Sequence, residues 1–207
     1  MIIAQRGWKI ILAAVFGGLV LGIIARLWMR WISTDPEFSW GGTLGIIISF
    51  TMFTTTQATV YVLRRRIKTR RLTSVVRSVG AFFTLPLFTA AGAVMFPTVI
   101  LASIAVWRKK IDKKVRIALL LISFIIPVIQ IKDIGSDFGW NFITLGRSLL
   151  FILIYSVVIR LLEPTLTPYV GSDSKVVLTK RLKLILIAVF TILVAFNLFR
   201  IFVMSSD

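Results

Sequence analysis

The sequence contains no cysteine and no histidine, and these two absences exclude much of enzyme chemistry. Without thiols the chain forms no disulfide and has no thiolate nucleophile, and without imidazole it lacks the commonest general acid–base group. Zinc sites and most haem sites use the same two residue types as ligands. We therefore expect no metal site, no cofactor and no catalytic residues.

Acidic residues are scarce as well, because 8 Asp and Glu oppose 25 Lys and Arg and leave a net charge of +17. Enzymes that bind Mg²⁺ through carboxylate clusters, and carriers that relay protons through buried acids, are therefore disfavoured. Nucleic acid is not the expected partner of this positive charge. Basic residues beside apolar segments typically face anionic lipid headgroups instead.

Apolar side chains dominate the rest, since 57% of the residues are hydrophobic and the mean hydropathy is +0.94. They come in long blocks rather than in short alternating runs. Long blocks are typical of membrane-spanning helices, and alternation is typical of a membrane β-barrel. The sequence therefore predicts an all-α integral membrane protein with a single polytopic domain over residues 1–207.

Two basic runs determine the predicted topology. Residues 64–71 carry six positive charges in eight positions, and residues 108–116 carry six more. Clustered Lys and Arg stay on the cytoplasmic side of a membrane. A bundle of about seven transmembrane helices, with its N-terminus cytoplasmic and its C-terminus outside, then places twenty of the 25 cations inside. The predicted spans are about 8–27, 41–63, 72–89, 93–107, 117–131, 140–162 and 182–202.

Residues 72–107 are predicted to form a hairpin. One straight helix of that length would measure about 54 Å, whereas the hydrocarbon core of a bilayer is about 30 Å thick. Two short spans with a turn near residues 89–92 keep both basic runs on one side of the membrane. Exterior loops at 31–40 and 132–140 and a polar loop at 165–183 complete the prediction.

Small residues recur at four-residue spacing in the first span, at Ala14, Gly18 and Gly22. Such a ridge lets two helix backbones approach each other closely. One interpretation is an interface with a second copy or with a membrane-protein partner. The alternative is a tightly packed contact within the chain.

Arg147 lies well inside the sixth apolar run, where an unpaired guanidinium costs several kcal/mol. One interpretation is an ion pair with an exterior acid such as Glu37 or Asp133. The other is an anion or lipid-phosphate site that Arg147 forms with further arginines near the outer ends of the spans, through bidentate contacts. Those further arginines are Arg26, Arg30 and Arg200.

The second span is rich in hydroxyl groups, and Thr51, Thr55 and Thr59 share one helix face near Gln57. Hydroxyls inside a helix commonly bond back to the carbonyl four residues earlier, which has no functional meaning. The alternative is a polar lining for a solute path, because polar groups within a membrane often mark one.

The residues 25–30, Ala-Arg-Leu-Trp-Met-Arg, are followed by Pro-Glu-Phe-Ser at 36–39 and Gly-Thr at 42–43. This segment, 25–43, resembles one found in small multi-span bacterial membrane proteins without an assigned activity. The resemblance implies a multi-pass protein of the bacterial cytoplasmic (inner) membrane, and it implies no reaction.

We expect a non-enzymatic membrane protein that acts by binding. Its partners would be anionic lipid headgroups at 64–71 and 108–116, or an acidic membrane protein. The alternative is a transporter or channel for an anionic or neutral small solute, using Arg147 and the Thr-rich face of the second span. A third hypothesis is an arginine-dependent enzyme that acts on lipid-linked phosphates.

Overall fold

The computed structural model describes residues 2–34, 38–67, 69–91, 93–108 and 110–167. Within these ranges every regular element is a helix, as the sequence predicts. Five helical segments are long and apolar enough to cross a membrane, and one further apolar helix is shorter. The helices are α1 (Ile2–Trp31), α2 (Trp40–Arg66), α3 (Arg70–Phe82), α4 (Leu85–Ala91), α5 (Phe96–Trp107), α6 (Lys113–Phe138), α7 (Phe142–Leu161) and α8 (Glu163–Leu166).

The first two helices form an antiparallel hairpin in which two glycines of α1 touch the backbone of α2. A Cβ atom added to Gly18 would lie 2.7 Å from the Cα of Thr51. A Cβ added to Gly22 would lie 2.8 Å from the Cα of Ile47. Any larger side chain at these two positions would therefore push the helices apart.

A polar contact completes the same interface, because Thr54 Oγ1 donates a hydrogen bond to Ala14 O at 2.8 Å. The ridge of small residues predicted from the sequence thus packs against α2 of its own chain. This geometry corresponds to the within-chain interpretation of the ridge.

The third helical segment breaks at Phe83 and Thr84, and Pro86 is the cause. Proline has no N–H to donate to the carbonyl four residues earlier, which is that of Phe82, and its ring crowds this turn. Accordingly α3 ends at Phe82 and α4 begins at Leu85.

The helix α5, which corresponds to the second span of the predicted hairpin, is short. The 12 residues of α5 extend over about 18 Å, less than the hydrocarbon core of about 30 Å. A single 3-10 turn, Ala93–Met95, leads into α5. Met95, Pro97 and Val99 are buried, so the N-terminal end of α5 packs against other helices rather than extending to the surface.

The sixth helix is longer than the span predicted for it. Pro127 lies inside α6 without ending it, and residues 132–138 form the last two turns. The prediction of a loop at 132–138 is therefore wrong. The polar side chains of residues 132–138, which suggested a loop, lie on the exposed face of the helix. Gly139, with φ of 71°, ends the helix.

The predicted basic loops are partly helical. Arg64, Arg65 and Arg66 form the last turn of α2, and α3 begins at Arg70. A helix C-terminus favours positive charge because its last carbonyls are unpaired. Cations that were expected in a loop thus stabilise the end of α2.

A short helix, α8, follows α7 where the sequence analysis placed the start of a polar loop. Pro164 occupies its first turn, a position where the missing N–H has no consequence. The rest of that predicted loop, the predicted span at 182–202 and Arg200 lie outside the described residues.

The described helices have two chemically different ends. The basic end comprises the start of α1, the link from α2 to α3, the link from α5 to α6, and the end of α7 with α8. The aromatic end comprises the link from α1 to α2 and the link from α6 to α7. Between them lies an apolar core, in which the rings of Trp28 and Phe151 stack with centroids 5.2 Å apart.

Candidate functional site

At the aromatic end, Arg147 is held by aromatic rings. Its guanidinium carbon lies 3.8 Å from the ring centroid of Phe138 and 5.6 Å from that of Trp31. Its Nε is buried and has no hydrogen-bond partner within the described residues. Its backbone carbonyl accepts a hydrogen bond from Trp28 Nε1 at 2.9 Å. Cation–π contacts of this kind contribute about 0.5–2 kcal/mol each, depending on desolvation.

The other predicted arginines of this end have partners of their own. Arg26 Nε donates to Thr43 Oγ1 at 3.1 Å, which links α1 to α2. The guanidinium carbon of Arg30 lies 5.3 Å from the ring centroid of Phe38. Arg26, Arg30 and Arg147 therefore contact three different sets of residues.

The threonine face of α2 contains an open groove of about 310 Å³. Thr51 Oγ1 and Thr59 Oγ1 bond back to carbonyls of their own helix, at 2.8 Å each. Thr55 Oγ1 is buried and has no hydrogen-bond partner in the described part of the chain. The groove is lined by Leu19, Ile48, Thr51, Met52, Thr55, Thr56 and Phe83.

Gln57 lies elsewhere, in a buried polar cluster. Only 1% of its surface is exposed. Its Nε2 lies 3.4 Å from both Gly80 O and Thr84 Oγ1, and its Oε1 accepts a hydrogen bond of 2.6 Å from Thr165 Oγ1. Gln57 thus joins α2, the end of α3 and α8, which gives it a structural explanation that does not involve the groove.

At the basic end, two arginines bind the backbone of α8. Arg77 Nε donates to Thr165 O at 2.7 Å, and its Nη2 donates to Leu166 O at 3.2 Å. Arg64 Nη1 donates to Pro164 O. The last carbonyls of a helix have no partner within the helix, so arginines are suitable groups to satisfy them.

The end of α5 meets the end of α7 in the same region. Trp107 Nε1 donates to Ile159 O at 2.8 Å, and the guanidinium carbon of Arg160 lies 5.6 Å from the Trp107 ring centroid. Arg108, which directly follows Trp107, has a buried Nε without a hydrogen-bond partner among the residues described. Both basic runs of the sequence are thereby brought to one end of the helices, around α8.

Sequence reasoning missed this arrangement. It treated the basic runs as loops and did not anticipate that Arg77 binds α8. Two signals pointed to a helix there: Glu163 is an acid in a first turn, and Pro164 is a proline at a helix start. The pairing of Gln57 with Thr165, 108 residues apart, leaves no periodic signal.

Within the described ranges, no group of three or more acidic side chains lies close enough together to hold a metal ion. Comparisons with protein-family models, with curated proteins and with solved structures found no match. The similarity of residues 25–43 to bacterial membrane proteins therefore stays a prediction. The function has to be argued from the geometry of the two ends.

Proposed function

We propose that this chain is a multi-span protein of the bacterial cytoplasmic membrane that binds anionic lipid headgroups through its basic end. The topology is the one predicted from charge, with the N-terminus and both basic runs on the cytoplasmic side. The observation that carries the proposal is the gathering of the two runs at one end of the helices. The role is one of binding, without a catalytic step.

The surface between the two ends supports membrane insertion. Large apolar side chains are exposed along the middle of the long helices, and α6 alone exposes Leu121, Phe124 and Val128, each by more than half. A soluble protein rarely exposes a contiguous apolar surface of this extent, because water penalises it. Lipid chains would cover it without that penalty.

The charge of the basic end supports lipid headgroups as the ligand. Its exposed cations include Arg70, Arg71 and Lys114, whereas its described acids are Asp112 and Glu163. Each Lys or Arg near an anionic membrane surface contributes about 1 kcal/mol of attraction. Several of them on one surface therefore give a strong preference for anionic over neutral lipid.

Thermal unfolding in vesicles tests the proposal. We expect the full chain to unfold at a higher temperature in phosphatidylcholine vesicles that contain phosphatidylglycerol than in phosphatidylcholine alone, and the difference to shrink at high salt. Replacing Arg70, Arg71 and Lys114 together by Gln should reduce the difference. Lys132→Gln, which removes a single exposed cation from the aromatic end, is the comparison and should reduce the difference by less. Equal unfolding temperatures in the two kinds of vesicle would contradict the proposal.

The second candidate is a path for an anionic or neutral small solute along the threonine face, and the unpartnered hydroxyl of Thr55 beside the groove favours it. Arg147 is the charged residue to test with it. Flux of chloride and of glycerol into proteoliposomes would be compared for the wild type, Thr55→Val and Arg147→Ala. Unchanged flux in both variants, or no flux in the wild type, would exclude a path through these residues.

A further inference from the structure

Three arginines from separate helices lie at the basic end, and two of them bind α8. Arg64 comes from the last turn of α2, Arg77 from the middle of α3, and Arg108 from the residue after α5. Arg77 is close enough to Arg64 and Arg108 to be repelled by both. The fold therefore concentrates positive charge from distant parts of the sequence in one partly buried place.

The described chain supplies little negative charge to balance this concentration. Glu163 attracts Arg64, and α8 provides carbonyl oxygens for Arg64 and Arg77. Carbonyl dipoles satisfy the donors of Arg77, but they neutralise neither its charge nor that of Arg108. Like charges that are partly removed from water repel each other more strongly than exposed ones do. An added anion would relieve this repulsion.

Arg108 shows where such an anion would bind. Its Nε is shielded from water and has no acceptor in the described residues. A buried donor without an acceptor costs about 1–3 kcal/mol, more for a charged group, so it calls for an explanation. The neighbouring Trp107 is fixed by its bond to Ile159 O, which holds the end of α5, and with it Arg108, in place.

We infer that Arg64, Arg77 and Arg108 form a binding site for a phosphate group. A guanidinium presents a planar fork of N–H donors that matches phosphate oxygens, and it stays charged at any physiological pH. The source of the phosphate is either the headgroup of an anionic lipid or a free phosphate anion. The lipid source rests on the proposed function, because the basic end must then lie at headgroup level.

The three arginines differ in what they contribute. Arg64 and Arg77 also hold α8, so replacing either would disturb the fold and the site together. Arg108 makes no such bond through its Nε, and its replacement should leave α8 in place. Arg108→Gln is therefore the informative variant, and Arg108→Lys keeps the charge but removes the planar fork.

The test uses the purified full chain in a neutral detergent. Dissociation constants would be measured by thermal shift with three probes: dioctanoyl phosphatidic acid, dioctanoyl phosphatidylcholine and inorganic phosphate. Lys132→Gln is the matched control, because it removes one exposed cation from the aromatic end, outside the proposed lipid-binding surface. We expect Arg108→Gln to weaken phosphatidic acid binding at least about tenfold, which corresponds to about 1.4 kcal/mol. Arg108→Lys should give an intermediate loss, and Lys132→Gln should change the dissociation constant less than about twofold, as expected for an exposed charge outside the site.

The probes separate the two sources of the phosphate group. Tight binding of phosphatidic acid with weak binding of inorganic phosphate supports a lipid headgroup, and comparable binding of both supports a free anion. Equal effects of Arg108→Gln and Lys132→Gln would overturn the site. A further outcome is that Arg108→Gln protein binds phosphatidic acid as tightly as the wild type does and still unfolds at a higher temperature in anionic vesicles than in neutral ones. In that case the site is wrong and the proposed function stands.

Discussion

Adding one methyl group to Gly18 should force α1 and α2 apart. The new Cβ would collide with Thr54 Oγ1, lie 2.7 Å from the Cα of Thr51 and lie 3.1 Å from Phe50 O. Two of these three neighbours are backbone atoms, which cannot move aside without shifting a helix. Overpacking of this kind typically costs 1–3 kcal/mol.

A second loss adds to that cost. Separation of the helices would break the hydrogen bond from Thr54 to Ala14 O, which contributes about 0.5–1.5 kcal/mol net. Alanine is preferred over glycine inside a helix by about 0.5–1 kcal/mol, which offsets part of this loss. We therefore expect Gly18→Ala to lower the free energy of unfolding by about 1–4 kcal/mol.

The adjacent residue, Gly17, provides a matched control. Beyond the neighbouring backbone of α1 itself, no heavy atom of the described residues lies within 4 Å of the position that its Cβ would take. Alanine is also preferred over glycine inside a helix by about 0.5–1 kcal/mol. We therefore expect Gly17→Ala to be neutral or stabilising. The assay is denaturant titration of each variant in the same detergent, followed by circular dichroism, and equal stability of Gly18→Ala and Gly17→Ala would refute the packing described for this hairpin.

Two further predictions concern the polar and aromatic contacts. Thr165→Val should destabilise the protein by about 1–3 kcal/mol in the same titration, because it leaves the buried Oε1 of Gln57 without its donor. Thr51→Val is the control, because the hydroxyl of Thr51 donates to Ile47 O in its own helix. If Thr51→Val destabilised the protein as much as Thr165→Val, the result would argue against the polar cluster. Phe138→Leu should cost about 0.5–2 kcal/mol more in the wild type than in an Arg147→Met background, as measured by a double-mutant cycle. A coupling near zero would show that the ring contact does not stabilise Arg147.

The helical architecture could be predicted from the sequence because long apolar blocks carry a strong and local signal. The basic runs at 64–71 and 108–116 similarly indicate where helical segments meet water. The break that Pro86 causes at Phe83 and Thr84 was not predicted, since the predicted turn lies near residues 89–92. The end of α6 could not be predicted in this way. Polar residues 132–138 have the composition of a loop, yet a helix that extends beyond the apolar region can expose the same side chains to water.

The candidate site was harder to predict, because its contacts join residues far apart in the chain. Arg77 binds carbonyls of residues 165 and 166, and no local pattern relates them. Arg147 was identified from the sequence because it is a cation inside an apolar run. The predicted partners of its side chain, however, were only acids and anions. Phe138 lay in a predicted loop, so its ring could not be anticipated as the contact surface.

The side of the membrane on which the basic end lies is the central claim, and cysteine labelling tests it directly. The chain has no cysteine of its own, so single substitutions give a signal without background. Arg70→Cys and Lys114→Cys would report on the basic end, and Asp137→Cys, exposed near the end of α6, on the aromatic end. In intact bacterial spheroplasts, an impermeant maleimide should label Asp137→Cys at once and the other two only after permeabilisation. Labelling of Arg70→Cys or Lys114→Cys in intact spheroplasts would contradict the account.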